Sequence, residues 1–201
     1  MQDTLPIHFA PLQGYTEAIY RNAHDAFFGG VDTYYTPFVR LGKGNFRRRD
    51  VRGIEPENNG VPHLIPQLIA SSAEKAEVIL SLFIEKGYQE VDINLGCPFP
   101  LLAKRHNGSG ILPYPEEVKA LLSIVTRYPK ISFSVKMRLG WEQPDECLAL
   151  APILNDLPLR QITMHPRLGK QGYKGEVDLE GFSACLVYTS PSPRDRTRSR
   201  M

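Results

Sequence analysis

VDINLGCPFP, residues 91–100, is a short apolar strand that stops at Gly96 and delivers a single cysteine, Cys97, braced by Pro98. Outward from this stretch the chain alternates between two kinds of segment. On the N-terminal side, LIPQLIA (64–70) reads as a strand, and Ser72 opens a helix through SAEKAEVILSLFIEKG that Gly87 ends. On the C-terminal side, PEEVKALLSIVTRY (115–128) places a proline in its first turn, acids early and an arginine late, which predicts a helix. ISFSVKMRL (131–139) is the next strand, CLALAPILNDL (147–157) a helix and QITMHPR (161–167) a strand. Nearer the N-terminus, IHFAPL (7–12) and TYYTPFV (33–39) are strands. Between them, TEAIYRNAHDAFF (16–28) is a helix capped by Thr16, with Ile19, Ala23 and Phe27 on its apolar face.

Six β/α repeats of this kind require parallel strands joined by helical crossovers, in either a doubly wound sheet or a (β/α)8 TIM barrel. Gln67, Asn94, Cys97, Lys136, Arg138 and His165 all fall at or just beyond the C-terminal ends of strands. In a barrel those ends converge on one mouth, where catalysis takes place. No glycine-rich dinucleotide fingerprint follows the first strand, which disfavours the doubly wound alternative. The expected fold is therefore α/β, a (β/α)8 barrel of which about six units are present.

The chain has 201 residues, 42% of them hydrophobic, enough to bury one sizeable core. Its three cysteines, 97, 147 and 185, are too far apart for a disulfide framework or a short-spaced metal site, so no metal is expected and Cys147 and Cys185 read as structural. No apolar run approaches the roughly 20 residues of a membrane span. The expectation is a cytoplasmic protein, monomeric when full length. The net charge of +2 misleads, because residues 187–201 (VYTSPSPRDRTRSRM) carry +3 and leave the rest at −1. That segment lacks core-forming residues and reads as a non-native or disordered basic tail, which sets residues 1–186 apart as the folded domain.

FAPLQGYTE, PQLIAS, DINLGCP, SVKMRLGW and MHPRLGKQGYKG, in that order, resemble the signature segments of the tRNA-dihydrouridine synthases, from about residue 7 to about residue 182. The resemblance implies an FMN-binding barrel, NADPH or NADH as reductant, and tRNA as substrate and partner. It implies that Cys97 is the general acid protonating C5 of uracil, and that Lys136 stabilises the anionic reduced flavin. Gln67, His165 and the backbone at Pro11 and Leu12 would contact the flavin, and Asn94 the flavin or the uracil. Arg138, Arg167 and Lys174 would meet tRNA phosphates or the target nucleotide. Pro166 departs from the family pattern, in which a small residue is common. The reaction that the resemblance implies calls for such a group: reducing the C5–C6 bond needs a proton as well as a hydride, and a thiol is still largely protonated at neutral pH; from spacing alone Cys97 would read as a buried structural cysteine. HNGSG (106–110) reads as a flexible cover over the mouth, and the basic run at 43–52 as an RNA contact or a solvated loop. Two alternatives stay open: a flavin-dependent dehydrogenase of a small pyrimidine or enone, and an inactive fragment.

Overall fold

The computed structural model describes residues 5–42 and 44–189. Its seven strands are β1 (His8–Phe9), β2 (Thr33–Tyr35), β3 (Leu64–Ile65), β4 (Gln67–Leu68), β5 (Glu90–Leu95), β6 (Ser132–Gly140) and β7 (Leu159–Leu168). Every registered pair is parallel, and neighbours follow chain order, β1-β2-β3 and then β4-β5-β6-β7. A doubly wound sheet reverses direction at a switch point; this order never reverses and is that of a barrel wall. The third expected strand, 64–70, is divided at Pro66, which has no N–H to give to a ladder. Its first half pairs with β2 and its second with β5, so the division turns the wall through a corner.

The helices are α1 (Ala18–Phe27), α2 (Arg48–Ile54), α3 (Ala73–Glu85), α4 (Pro100–Ala103), α5 (Pro115–Leu122), α6 (Ile124–Arg127), α7 (Glu146–Asn155) and α8 (Leu179–Thr189). Along the wall, α3 packs against α5 and α6, α5 against α7, and α7 against α8. Ser72 caps α3 by accepting from the Lys75 N–H, and Gly87 follows the helix at φ +84°. The helix expected over 115–128 is interrupted at Ser123, whose hydroxyl donates to the Ala120 carbonyl. Helix α8 runs three residues into the segment set apart as tail; residues 190–201 lie outside the described residues.

Helix α1 differs more. Thr16 is not its cap but braces the turn before it, accepting from the Leu12 N–H at 2.9 Å. The expected apolar face points to solvent, with Ile19 80% and Phe27 84% exposed. Arg21 takes the inward face because its guanidinium donates to the Thr16 and Gly53 carbonyls and to Asn59 Oδ1, replacing water's hydrogen bonds with three from the protein.

Odd-numbered residues of β5 and β6, namely Val91, Ile93, Leu95, Phe133, Val135, Met137 and Leu139, join Ile79, Phe83, Val118, Leu121 and Leu150 from the helices in one fully buried core. Because successive strand residues alternate faces, the even-numbered ones are committed to the opposite, concave side, and those residues, Gly140 apart, are polar.

Candidate active site

Strand register lays the concave side out in three polar rows. Gln67, Asp92, Ser134 and Gln161 align in the first, Asn94, Lys136 and Thr163 in the second, and Arg138 and His165 in the third, nearest the C-terminal ends. The pocket at that end is lined by Pro11, Leu12, Gln67, Asn94, Cys97, Lys136, Arg138 and His165, all singled out from the sequence. Gln13, Pro37, Phe38 and Tyr173 also line it and were not anticipated. Arg167 and Lys174, expected at the mouth, are absent from its lining. Arg167 is turned toward its own loop, donating to the Gly175 carbonyl and to His165 Nε2.

The Cys97 loop is held from two sides. Asn94 Oδ1 accepts from the N–H groups of Gly96 and Cys97 at 3.0 and 2.8 Å. From the other side, the Ser109 N–H and hydroxyl both donate to the Cys97 carbonyl at 3.0 Å. Gly108–Ile111 is a buried 3-10 turn serving as the floor of this loop, not the flexible cover expected of HNGSG. Gly108 sits at φ +61°, and a Cβ there would lie 2.6 Å from the Cys97 carbonyl oxygen, so only glycine brings the turn this close.

Arg138 also departs from its expected surface role, since it is 2% exposed. Its Nε donates to the Gly96 carbonyl, and Nη1 to those of Leu168 and Gly172, while the guanidinium lies 5.4 Å from the centre of the Tyr173 ring. It ties the end of β5 to the end of β7 and borders the pocket with the remainder of its fork.

Burial dominates the electrostatics. It pushes the Cys97 thiol up from its ordinary value, with a backbone hydrogen bond from Phe99 and the Arg138 charge opposing. The thiol is therefore protonated at neutral pH. Burial pushes the Lys136 ammonium down, with Asp92 opposing and Arg138 adding to the shift. Asp92 rises to about 6 through burial, held back by hydrogen bonds from Ser134 and Gln67 and by Lys136. His165 falls to about 4 through burial and the charges of Arg138, Lys136 and Arg167, so its imidazole is neutral at pH 7. Because a guanidinium only donates, the contact with Arg167 makes His165 Nε2 the acceptor and leaves the ring proton on Nδ1.

Two features call for an occupant. Both polar atoms of the Gln13 amide are shielded from solvent without a hydrogen-bond partner among the described residues, a cost that a polar ligand would relieve. The pocket beside Cys97 is narrow, ≈ 60 Å³, but shares Leu12, Gln13, Phe38, Cys97, Pro98 and Tyr173 with an adjoining, mostly apolar chamber of ≈ 540 Å³. A planar ring with a polar edge suits that combination. Asp92 was legible in principle, standing two residues before Asn94 on one strand face, whereas nothing in the sequence marks Gln13.

A family model described as dihydrouridine synthase matches residues 8–184. The chain is 31% identical over 126 residues to tRNA-dihydrouridine synthase B of Vibrio cholerae, covering 62% of this chain and 37% of that one. It is 29% identical over 173 residues to probable tRNA-dihydrouridine synthase 1 of Synechocystis, covering 83% and 46%. With tRNA-dihydrouridine(16) synthase of Haemophilus ducreyi it shares 28% identity over 187 residues, covering 85% and 54%. The chain thus spans about half or less of the length of these relatives.

Proposed function

The chain belongs to the dihydrouridine synthase family, and from that membership we propose that the Cys97 pocket reduces the C5–C6 double bond of a uridine in tRNA, with FMN as bound cofactor and NADPH as reductant. The observation that carries this reading is the convergence of Cys97, Gln67, Asn94, Lys136 and His165 on one pocket at the C-terminal ends of parallel strands.

The residues present suit a flavin. The unpaired Gln13 amide, the Gln67 amide and the neutral His165 offer both donors and acceptors to the polar edge of a ring, and Phe38 and Leu12 offer apolar surface to its faces. Lys136, an ammonium among buried groups, favours negative charge on whatever it faces. When bound and reduced, FMN supplies the hydride that C6 of the uracil receives.

The chain's own residues supply the rest. Cys97 keeps its proton at neutral pH because burial disfavours the thiolate, and it gives that proton to C5, leaving a thiolate that solvent reprotonates. Arg138, beside the sulfur, stabilises the thiolate formed in that step. Asn94 and Ser109 hold the loop that brings Cys97 to the pocket wall. The target uridine leaves its stack to reach this depth, and Tyr173, exposed beside the pocket, offers a flat surface against a base.

The experiment is direct: tRNA lacking dihydrouridine, incubated with the intact gene product, FMN and NADPH, acquires nucleosides two hydrogens heavier by mass spectrometry. Turnover of free pyrimidines without reduction of tRNA would point to a small-molecule dehydrogenase instead.

A further inference from the structure

Beneath the Cys97 loop lies a chain of hydrogen bonds that ends on Asp92, a residue outside the set that contacts the reacting groups. The N–H groups of Gly96 and Cys97 donate to Asn94 Oδ1, Asn94 Nδ2 donates to Gln67 Oε1 at 2.7 Å, and Gln67 Nε2 donates to Asp92 Oδ2 at 2.6 Å. On the far side, the Ser134 hydroxyl donates to Asp92 Oδ1 at 2.6 Å. Asp92 is 2%, Gln67 1% and Asn94 8% exposed, so water has little access to replace a lost partner.

Every donor in this chain points the same way. A side-chain amide donates from one end and accepts at the other, so neither Gln67 nor Asn94 sets its own orientation. The backbone N–H of Cys97 can only donate. At the opposite end an ionised carboxylate can only accept. Between those two fixed ends just one orientation satisfies both amides, and it is the one that turns Asn94 Oδ1 toward the Cys97 loop. Reversing the amides would aim Asn94 Nδ2 at two backbone N–H groups.

We propose that Asp92 is a positioning residue: as the terminal acceptor it completes the Gln67–Asn94 relay, whose direction the backbone N–H groups require, and so holds the Cys97 loop in its seat. Its importance for reduction rests on the reading of Cys97 as general acid, but the relay is testable without tRNA or cofactor.

Ser134 makes a discriminating test possible. Asp92→Asn keeps the direction, because the new amide can turn its oxygen to Gln67 and its nitrogen to the Ser134 hydroxyl oxygen. Ser134→Ala also keeps it, because a carboxylate accepts from Gln67 regardless of its other neighbour. Only the double variant breaks this terminus, since the asparagine that turns its oxygen to Gln67 then leaves its own nitrogen buried without an acceptor. The measurement is the alkylation rate of Cys97 by iodoacetamide in the intact gene product, localised by peptide mass spectrometry and accompanied by a thermal melt of each variant. Each single variant should alkylate within about twofold of the parent, and the double variant about tenfold faster as the loop loosens, a coupling typical of residues sharing one network. Additive rates across the four proteins would overturn the proposal even if dihydrouridine formation is intact. Asp92→Ala, which removes the acceptor outright, should match the double variant; a parental rate there would also overturn it.

Discussion

Gly108 is the residue at which one methyl group would reach the Cys97 loop. Its φ of +61° and the 2.6 Å approach of a Cβ to the Cys97 carbonyl add a steric conflict to an unfavourable backbone. Gly108→Ala is therefore expected to destabilise the protein by about 1–2 kcal/mol from the backbone alone, and more from the clash, with faster Cys97 alkylation as the loop is displaced. Chemical denaturation combined with the alkylation rate checks both. The glycine-rich HNGSG composition was visible in the sequence, but the tertiary contact that turns it from cover into floor was not. Asp92 leads to a pH prediction with a definite sign. Its folded value of about 6 lies above the ordinary 3.8, so the folded protein holds the extra proton between those limits, and stability falls as pH rises from about 4 to 6. His165, lowered from 6.5 to about 4, acts in the opposite direction, so the parent profile mixes the two. Asp92→Asn isolates the first: relative to the parent it should gain stability between pH 4 and pH 7, on the order of 3 kcal/mol at most. Melts of both proteins at the two pH values test this, and an unchanged difference would refute it.

At the scale of elements, the local signals that held were those with a strong local cause. Ser72 capping α3 and Gly87 following it, and the alternation of β5 and β6, were readable because a few neighbouring residues decide each. The failures came where a distant partner won. Arg21 reaches across to Gly53 and Asn59 and turns α1 so that Ile19 and Phe27 face outward, which periodicity within the helix cannot foresee. Replacing Ile19 and Phe27 by lysine is thus expected to change the stability of the 1–201 polypeptide by no more than about 0.5 kcal/mol each, as at other surface positions, whereas Ile79→Ala in the core should cost about 2–5 kcal/mol. The same lysine substitutions should reduce self-association of that polypeptide, since exposed apolar stripes and strands such as β1 and β7, each paired on one side only among the described residues, promote it. Sedimentation and denaturant titration would expose an error in either half.

For the whole molecule, the monotonic order of parallel strands gathers residues from six segments, Pro11 to His165, onto one pocket, which no single segment could build. The convergence was legible because polar residues at strand ends share one side of any barrel wall. The fates of Arg138, buried against three carbonyls, and of Arg167, folded onto its own loop, were not, because they depend on the path of the loop after β7. The central claim is that the Cys97 thiol gives the proton that completes reduction of uridine. It is tested by Cys97→Ala in the intact gene product, with dihydrouridine formation in tRNA measured beside NADPH oxidation by the bound flavin. The variant should keep its flavin and oxidise NADPH at close to the parental rate while dihydrouridine formation falls at least about 100-fold; undiminished dihydrouridine formation would contradict the claim.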